Sequence, residues 1–115
     1  MASAKRGVGR AARLLPVRII GRSMEPTLME GDWTIFLHYP RGLTPKALKK
    51  AMGKVVLVER AAVPDLLTVK RLTKSLDTGY WVEGDNPRAS TDSREYLTLS
   101  GEEIVGRFLL RYRRG

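Results

Sequence analysis

The sequence has no cysteine, one histidine, and no apolar run long enough to cross a membrane. The absence of cysteine excludes disulfides, thiolate metal sites and a cysteine nucleophile, and we expect neither a metal nor a cofactor. The one histidine, His38, lies in a predicted strand without an acid arranged about it, which argues against a Ser-His-Asp triad. A membrane-spanning helix needs roughly 18 to 20 apolar residues. The best candidate near the start, residues 11–20, is interrupted by Arg13, Pro16 and Arg18, so we expect no transmembrane helix.

Acidic residues are missing from both ends of the chain. The 115 residues include 21 basic and 12 acidic ones, with a net charge of +9. In residues 1–22 and 107–115, all of the charged residues are basic. The body between them is close to neutral and has no basic stripe interleaved with aromatics, so we expect no nucleic-acid partner. A non-catalytic basic β-barrel that binds nucleic acid nevertheless remains one alternative to the enzymatic function considered below. The basic ends would also suit peripheral contact with an anionic membrane, at about 1 kcal/mol per charge.

The length and the short β-rich segments predict one mainly β domain over residues 16–115, preceded by a basic, flexible tail over residues 1–15. A short helix is predicted over residues 44–53, with Thr44 as its cap, Pro45 first and Gly53 at its end. Residues 74–79 and 85–95 are predicted to be loops, and Ser100 begins a capping box. Strands are predicted at residues 16–20, 33–38, 54–60, 66–72, 80–83 and 105–112. The lysines at 46, 49, 50 and 54 would line the solvent side of the helix.

Three segments contain the candidate catalytic residues. The first is Ser-Met-Glu-Pro-Thr-Leu at residues 23–28, followed by Gly-Asp at 31–32. This pattern, with its proline-stiffened turn, indicates that the Ser23 hydroxyl is held at the exposed end of a strand. The second is Thr-Val-Lys-Arg at residues 68–71. The third is the polar segment Gly-Asp-Asn-Pro-Arg-Ala-Ser-Thr-Asp-Ser-Arg at residues 84–94.

In this order, the three segments resemble the signal peptidase I family of serine proteases, and the resemblance covers residues 17–112. It implies a partly open β-barrel with one short helix and long loops, and a catalytic dyad of Ser23 and Lys70. It also implies that Ser90 holds the lysine amine, while Asp92 and Arg94 form an ion pair that stiffens the loop. Arg71 is a further candidate for that ion pair, although strand alternation points it away from Lys70.

The resemblance also implies the remaining site residues. The backbone N–H of Ser23 would stabilise the oxyanion, where loss of one donor typically costs 10²- to 10³-fold in rate. Many relatives place a hydroxyl two residues earlier, where this chain has Gly21. Met24 and Glu25 would lie beside the substrate residue that precedes the cut, although Met24 is equally compatible with the core.

Lysine serves as a base only when it is neutral. Lowering its pKa from about 10.4 to near 7 or 8 needs burial worth roughly 3 to 5 kcal/mol, without a paired carboxylate. Val69, Leu72 and the apolar run at residues 55–58 could supply that environment for Lys70. Taken alone, a strand lysine is more often exposed.

The sequence is therefore interpreted as a serine endopeptidase that removes an N-terminal leader from a precursor protein. Within the family, residues 84–94 most resemble the nickel-type superoxide dismutase maturation proteases of bacteria, which implies a cytoplasmic enzyme. The alternative in the same class is a compact signal peptidase that acts on exported proteins at a membrane surface.

Overall fold

A computed structural model describes residues 12–115 as one antiparallel sheet of six strands in the order β1-β2-β6-β3-β4-β5. Two short helices and two 3₁₀ turns connect them. The strands are β1 (Arg13–Arg18), β2 (Trp33–His38), β3 (Val55–Glu59), β4 (Leu67–Leu76), β5 (Gly79–Glu83) and β6 (Ile104–Arg113). The helices are α1 (Pro45–Lys50) and α2 (Ser93–Tyr96), and the 3₁₀ turns are Pro87–Ala89 and Gly101–Glu103.

The sheet is covered on both faces at β3, which lies between β6 and β4. Val56 and Val58 join one buried cluster, whereas Val55 and Leu57 join another. This alternation explains why β3 is apolar at four consecutive positions, since a strand buried on both faces has no solvent side. The two clusters place apolar walls on both sides of the neighbouring strand, β4.

The mainly β class predicted from the sequence is confirmed. The sheet does not close into a barrel, because β1 and β5 form its two edges. β1 begins at Arg13, so residues 13–15 belong to the sheet and not to a tail, while residues 1–11 of the expected tail lie outside the described residues. No helix within residues 12–115 is long and apolar enough to cross a membrane.

The loop predicted at residues 74–79 is wrong. β4 continues to Leu76 and β5 begins at Gly79, so only two residues connect the strands. Gly79 has a φ of +141° and a Cβ there would lie 3.2 Å from Thr98 Cβ, which explains the glycine at this turn. Beyond Leu72, β4 continues through three polar residues, Thr73, Lys74 and Ser75, so the sequence has no apolar run there that would indicate a strand.

Helix α1 begins where the sequence predicts. The Thr44 hydroxyl accepts a hydrogen bond from Ala47 N at 3.2 Å, and Pro45 takes the first position. Leu48 is buried against the sheet, and the capping box at Ser100 is also present. Helix α2 lies in a segment that was predicted to be a loop, and it is initiated by Asp92, whose carboxylate accepts from Arg94 N.

Candidate active site

Ser23 lies in the loop between β1 and β2, and this loop is fixed at both ends. Ile19 N donates to Asp32 O, and Gly31 N donates to Ile19 O, both at 2.8 Å. Leu28 N donates to Met24 O at 2.9 Å, so the residues after the serine form a tight turn. The loop therefore holds Ser23 in a defined position.

Asn86 ties this loop to the polar segment at residues 84–94. Its backbone N–H donates to the Ser23 carbonyl at 2.8 Å, and its side-chain amide donates to the Arg22 carbonyl at 3.0 Å. These bonds join positions more than 60 residues apart in sequence. The predicted serine and polar segments thus meet in one place.

Lys70 is buried in β4, with 5% of its surface exposed. Its register partner is Val56, in the apolar cluster that lies on that face. Nζ donates a hydrogen bond to Ser90 Oγ at 3.1 Å, and no carboxylate of residues 12–115 forms an ion pair with it. Burial lowers the pKa of Lys70 below its ordinary value of 10.5; the nearby charge of Asp92 opposes this shift, and Arg94 adds to it.

Asp92 organises the polar segment. Its side chain is fully buried and accepts from Ser90 Oγ and Arg94 Nη2, each at 2.6 Å, and from Gly84 N at 2.8 Å. Burial alone would raise the pKa of Asp92, but the hydrogen bonds from Arg94, Ser90 and Gly84 outweigh it and hold that pKa well below its ordinary range. The ion pair with Arg94, implied by the family resemblance, is therefore present.

Gly84 allows the serine loop and the lysine side to approach each other. A Cβ at this position would overlap Ser90 Oγ and would lie 2.7 Å from the Ser23 carbonyl oxygen. Ser90, the partner of the lysine amine, and the backbone of Ser23 thus flank the same glycine. Any larger residue would separate them.

The two predicted catalytic side chains are not hydrogen-bonded to each other in the described residues. No hydrogen bond within the described residues joins the Ser23 hydroxyl to Lys70 Nζ, and the lysine is held by Ser90 instead. The backbone N–H of Ser23 has no hydrogen-bond partner among residues 12–115. The Gly21 N–H donates to a Glu30 carboxylate oxygen at 3.3 Å, so of these two N–H groups only that of Ser23 is free to face an oxyanion.

Arg71 does not join the pair of Asp92 and Arg94, as was suggested from the sequence. Its guanidinium binds the carboxylate of Asp85 through two hydrogen bonds of 2.9 and 2.7 Å. Strand alternation carries it to the opposite side of β4 from Lys70. Arg71 therefore stabilises the start of the polar segment at Asp85, one residue before Asn86.

The substrate pocket predicted at Met24 and Glu25 is not formed by Met24. Met24 is 1% exposed and packs in the core with Ile19, Leu28 and Phe36. Glu25 is paired with Arg22 at 3.1 Å. A cavity of about 110 Å³ instead lies beyond Lys70 on β4, with Thr68 and Thr91 among its lining residues.

Two further features were missed in the sequence. Asp32 is 2% exposed and accepts from Met29 N, Gly115 N and Arg111 Nη1, which joins the serine loop to the end of β6. The position of Asp32, directly before the apolar strand β2, was a signal in the sequence for a buried, hydrogen-bonded carboxylate. Nothing in the sequence indicated Tyr96, whose ring packs under Arg60 at 3.9 Å and whose pKa burial raises to about 12.

The chain matches no protein-family model, and no curated protein is significantly similar to it.

Proposed function

We propose that the protein is a serine endopeptidase in which Ser23 is the nucleophile and Lys70 the general base, and that it removes an N-terminal leader from a precursor protein. The observation that carries this proposal is the state of Lys70. A buried amine whose pKa is lowered by burial, and which forms no ion pair with a carboxylate of residues 12–115, is the form of lysine suited to act as a base.

The hydrogen-bond directions around Ser90 strengthen this assignment. Ser90 has one hydroxyl proton and donates it to Asp92, so towards Lys70 it can only accept. A neutral amine that donates one proton to Ser90 keeps its lone pair free. The polar segment therefore orients the amine without occupying the lone pair that would take the proton of Ser23.

The absence of a hydrogen bond between Ser23 and Lys70 in the described residues is compatible with catalysis. Hydrogen bonds between a nucleophile and its base are often loose before substrate binds and tighten in the reacting complex. Ser23 is held by its backbone, through Asn86, and its hydroxyl forms no hydrogen bond with another group of residues 12–115. We expect bound substrate to close the contact between Ser23 Oγ and Lys70 Nζ.

A polypeptide is the substrate class that fits the edge of β4. β5 pairs with β4 only from Arg71 onwards, so residues 67–70 have no strand partner on that side within the described residues. An extended peptide can add to such an edge through main-chain hydrogen bonds. This edge ends at Lys70, and the cavity lined by Thr68 and Thr91 would take a substrate side chain.

In the proposed reaction, Ser23 Oγ attacks the scissile carbonyl carbon while its proton passes to Lys70 Nζ. The oxyanion that forms faces the Ser23 N–H, and the leaving amine takes the proton from Lys70. A water molecule activated by Lys70 then hydrolyses the acyl ester, which restores Ser23. The resemblance of residues 84–94 suggests a nickel-type superoxide dismutase precursor as the first substrate to test.

The test is to incubate the purified protein with that precursor and to identify the new N-terminus by mass spectrometry. Cleavage should disappear with Ser23→Ala and with Lys70→Ala, and should continue with Ser75→Ala, an exposed serine of β4. An acyl adduct on Ser23 after reaction with a p-nitrophenyl ester would support the same nucleophile independently of the precursor. Undiminished processing by Ser23→Ala or Lys70→Ala would overturn the dyad.

A further inference from the structure

A second cavity has neither Ser23 nor Lys70 in its lining. It has a volume of about 750 Å³ and lies beside α1, with Val55 of β3 and Arg71 of β4 in its wall. Thr27 of the serine loop also lines it, but Ser23 and Lys70 do not, and Arg71 leaves β4 on the side opposite Lys70. Its volume falls within the range of about 300 to 1,000 Å³ that is usual for small-molecule sites.

The cavity is basic, and its charges are not balanced. Lys46, Lys50, Lys54 and Arg107 line it, and no acidic residue does. None of the four forms an ion pair or a hydrogen bond with another side chain of residues 12–115. Lysines four residues apart on a helix, as Lys46 and Lys50 are in α1, repel each other. An anion bound among them would remove this repulsion, and a cleft lined by one sign of charge attracts such a ligand.

The rest of the lining consists of Thr27, Thr44, Arg71 and five apolar or aromatic residues. Tyr39, Phe108, Ala47, Ala51 and Val55 line the cavity, and Phe108 packs edge-to-face on the buried Phe36, with ring centroids 5.7 Å apart. Two aromatic side chains offer surfaces on which a flat ligand group can stack. The cavity therefore combines several cationic groups with a place for a planar body.

From this combination, we infer that the cavity binds a nucleotide-like anion, with two or more phosphate groups held by the lysines and Arg107 and a planar group placed against Tyr39 and Phe108. Lysine ammonium groups bind phosphate as point charges, and a guanidinium binds it through two hydrogen bonds. A diphosphate concentrates its charge in one place. An acidic peptide with four carboxylates would extend over roughly 13 Å and fits a compact cavity less well.

The experiment is a calorimetric titration of the full chain with inorganic pyrophosphate, ADP and adenosine at physiological salt. ADP should bind more tightly than pyrophosphate, and adenosine should not bind measurably. Lys50→Gln should weaken ADP binding roughly fivefold, which is the upper end for an exposed ion pair. The matched control is Lys49→Gln, which removes the same charge from the same helix at a position that does not line the cavity. It should change binding less than about twofold.

Amide NMR shifts locate the ligand and complete the test. Changes at Tyr39, Lys50 and Phe108 would support the site. Equal losses with Lys49→Gln and Lys50→Gln would show attraction to net charge alone and would overturn the inference. So would the absence of binding by both pyrophosphate and ADP, or binding of a glutamate-rich peptide alone, which would make the cavity a peptide-docking site. The test uses no peptidase substrate, so its outcome is independent of the proposed catalysis.

Discussion

Lys70 and Arg71 are neighbours on β4, but their side chains lie on opposite sides of the strand and their surroundings shift their pKa values in opposite directions. Arg71 is locked to Asp85 by two hydrogen bonds, and the bond to Asp85 raises its pKa. Lys70 is buried among apolar residues, bonded only to a hydroxyl, and its pKa is lowered. The difference separates a structural cation, whose charge is stabilised by its ion pair, from an amine whose charge is disfavoured by its surroundings, as the proposed role of a base requires.

Among the variants, the largest loss of peptidase activity should come from replacing Lys70 by methionine. Lys70→Met should reduce peptidase activity by about 10⁴-fold or more, because the base is lost. Its free energy of unfolding should stay unchanged or rise by about 1 kcal/mol, since a costly buried amine is removed.

Arg71→Met should show the opposite pattern. It leaves Asp85 without its partner, so stability should fall by about 1 to 2 kcal/mol, a value reduced by the partial exposure of the pair. Most of the activity should remain. Chemical denaturation and precursor cleavage measure both variants, and a strongly destabilised Lys70→Met would mean that the amine is a structural group like Arg71.

Asp92→Asn should have the next largest effect, by removing the buried charge that holds Ser90 and Arg94. We expect a loss of about 2 to 3 kcal/mol at pH 7, against almost none for the exposed Asp77→Asn. Because the folded pKa of Asp92 lies below the ordinary 3.8, its stabilisation is present above about pH 4 and is lost as the pH falls further. Denaturant midpoints should therefore converge for the wild type and Asp92→Asn in acid. A constant difference down to low pH would contradict the ion pair.

Ser90→Ala tests whether Lys70 must be held in place. The variant should lower kcat by roughly 10²-fold, with little change in KM, as expected when a base is misplaced. Loss of the acceptor also removes a bond to the charged amine, so the acid limb of the kcat/KM profile should move to lower pH. The exposed Ser75→Ala, on the same strand as Lys70, should change neither. An unchanged pH profile in Ser90→Ala would assign Ser90 a structural role only.

The sequence predicted the fold class, helix α1 and most strands, because these depend on local apolar patterns and caps. It also identified the segments that meet around Gly84. It did not predict that Met24 is core, since the same thioether suits a pocket or a hydrophobic cluster. The partner of Arg71 was also missed, because periodicity gives the face of a strand but not which carboxylate a distant loop brings to it.

The pKa of the Lys70 amine tests the central proposal most directly. The ¹³Cε resonance of this lysine, assigned by its absence from the spectrum of Lys70→Met, can be followed by NMR as the pH is raised. We predict a midpoint clearly below 10.5, the ordinary value for lysine, and a shift of that midpoint in Ser90→Ala. A midpoint at or above 10.5 would show an amine that stays charged at neutral pH, and it would contradict the role of Lys70 as a general base.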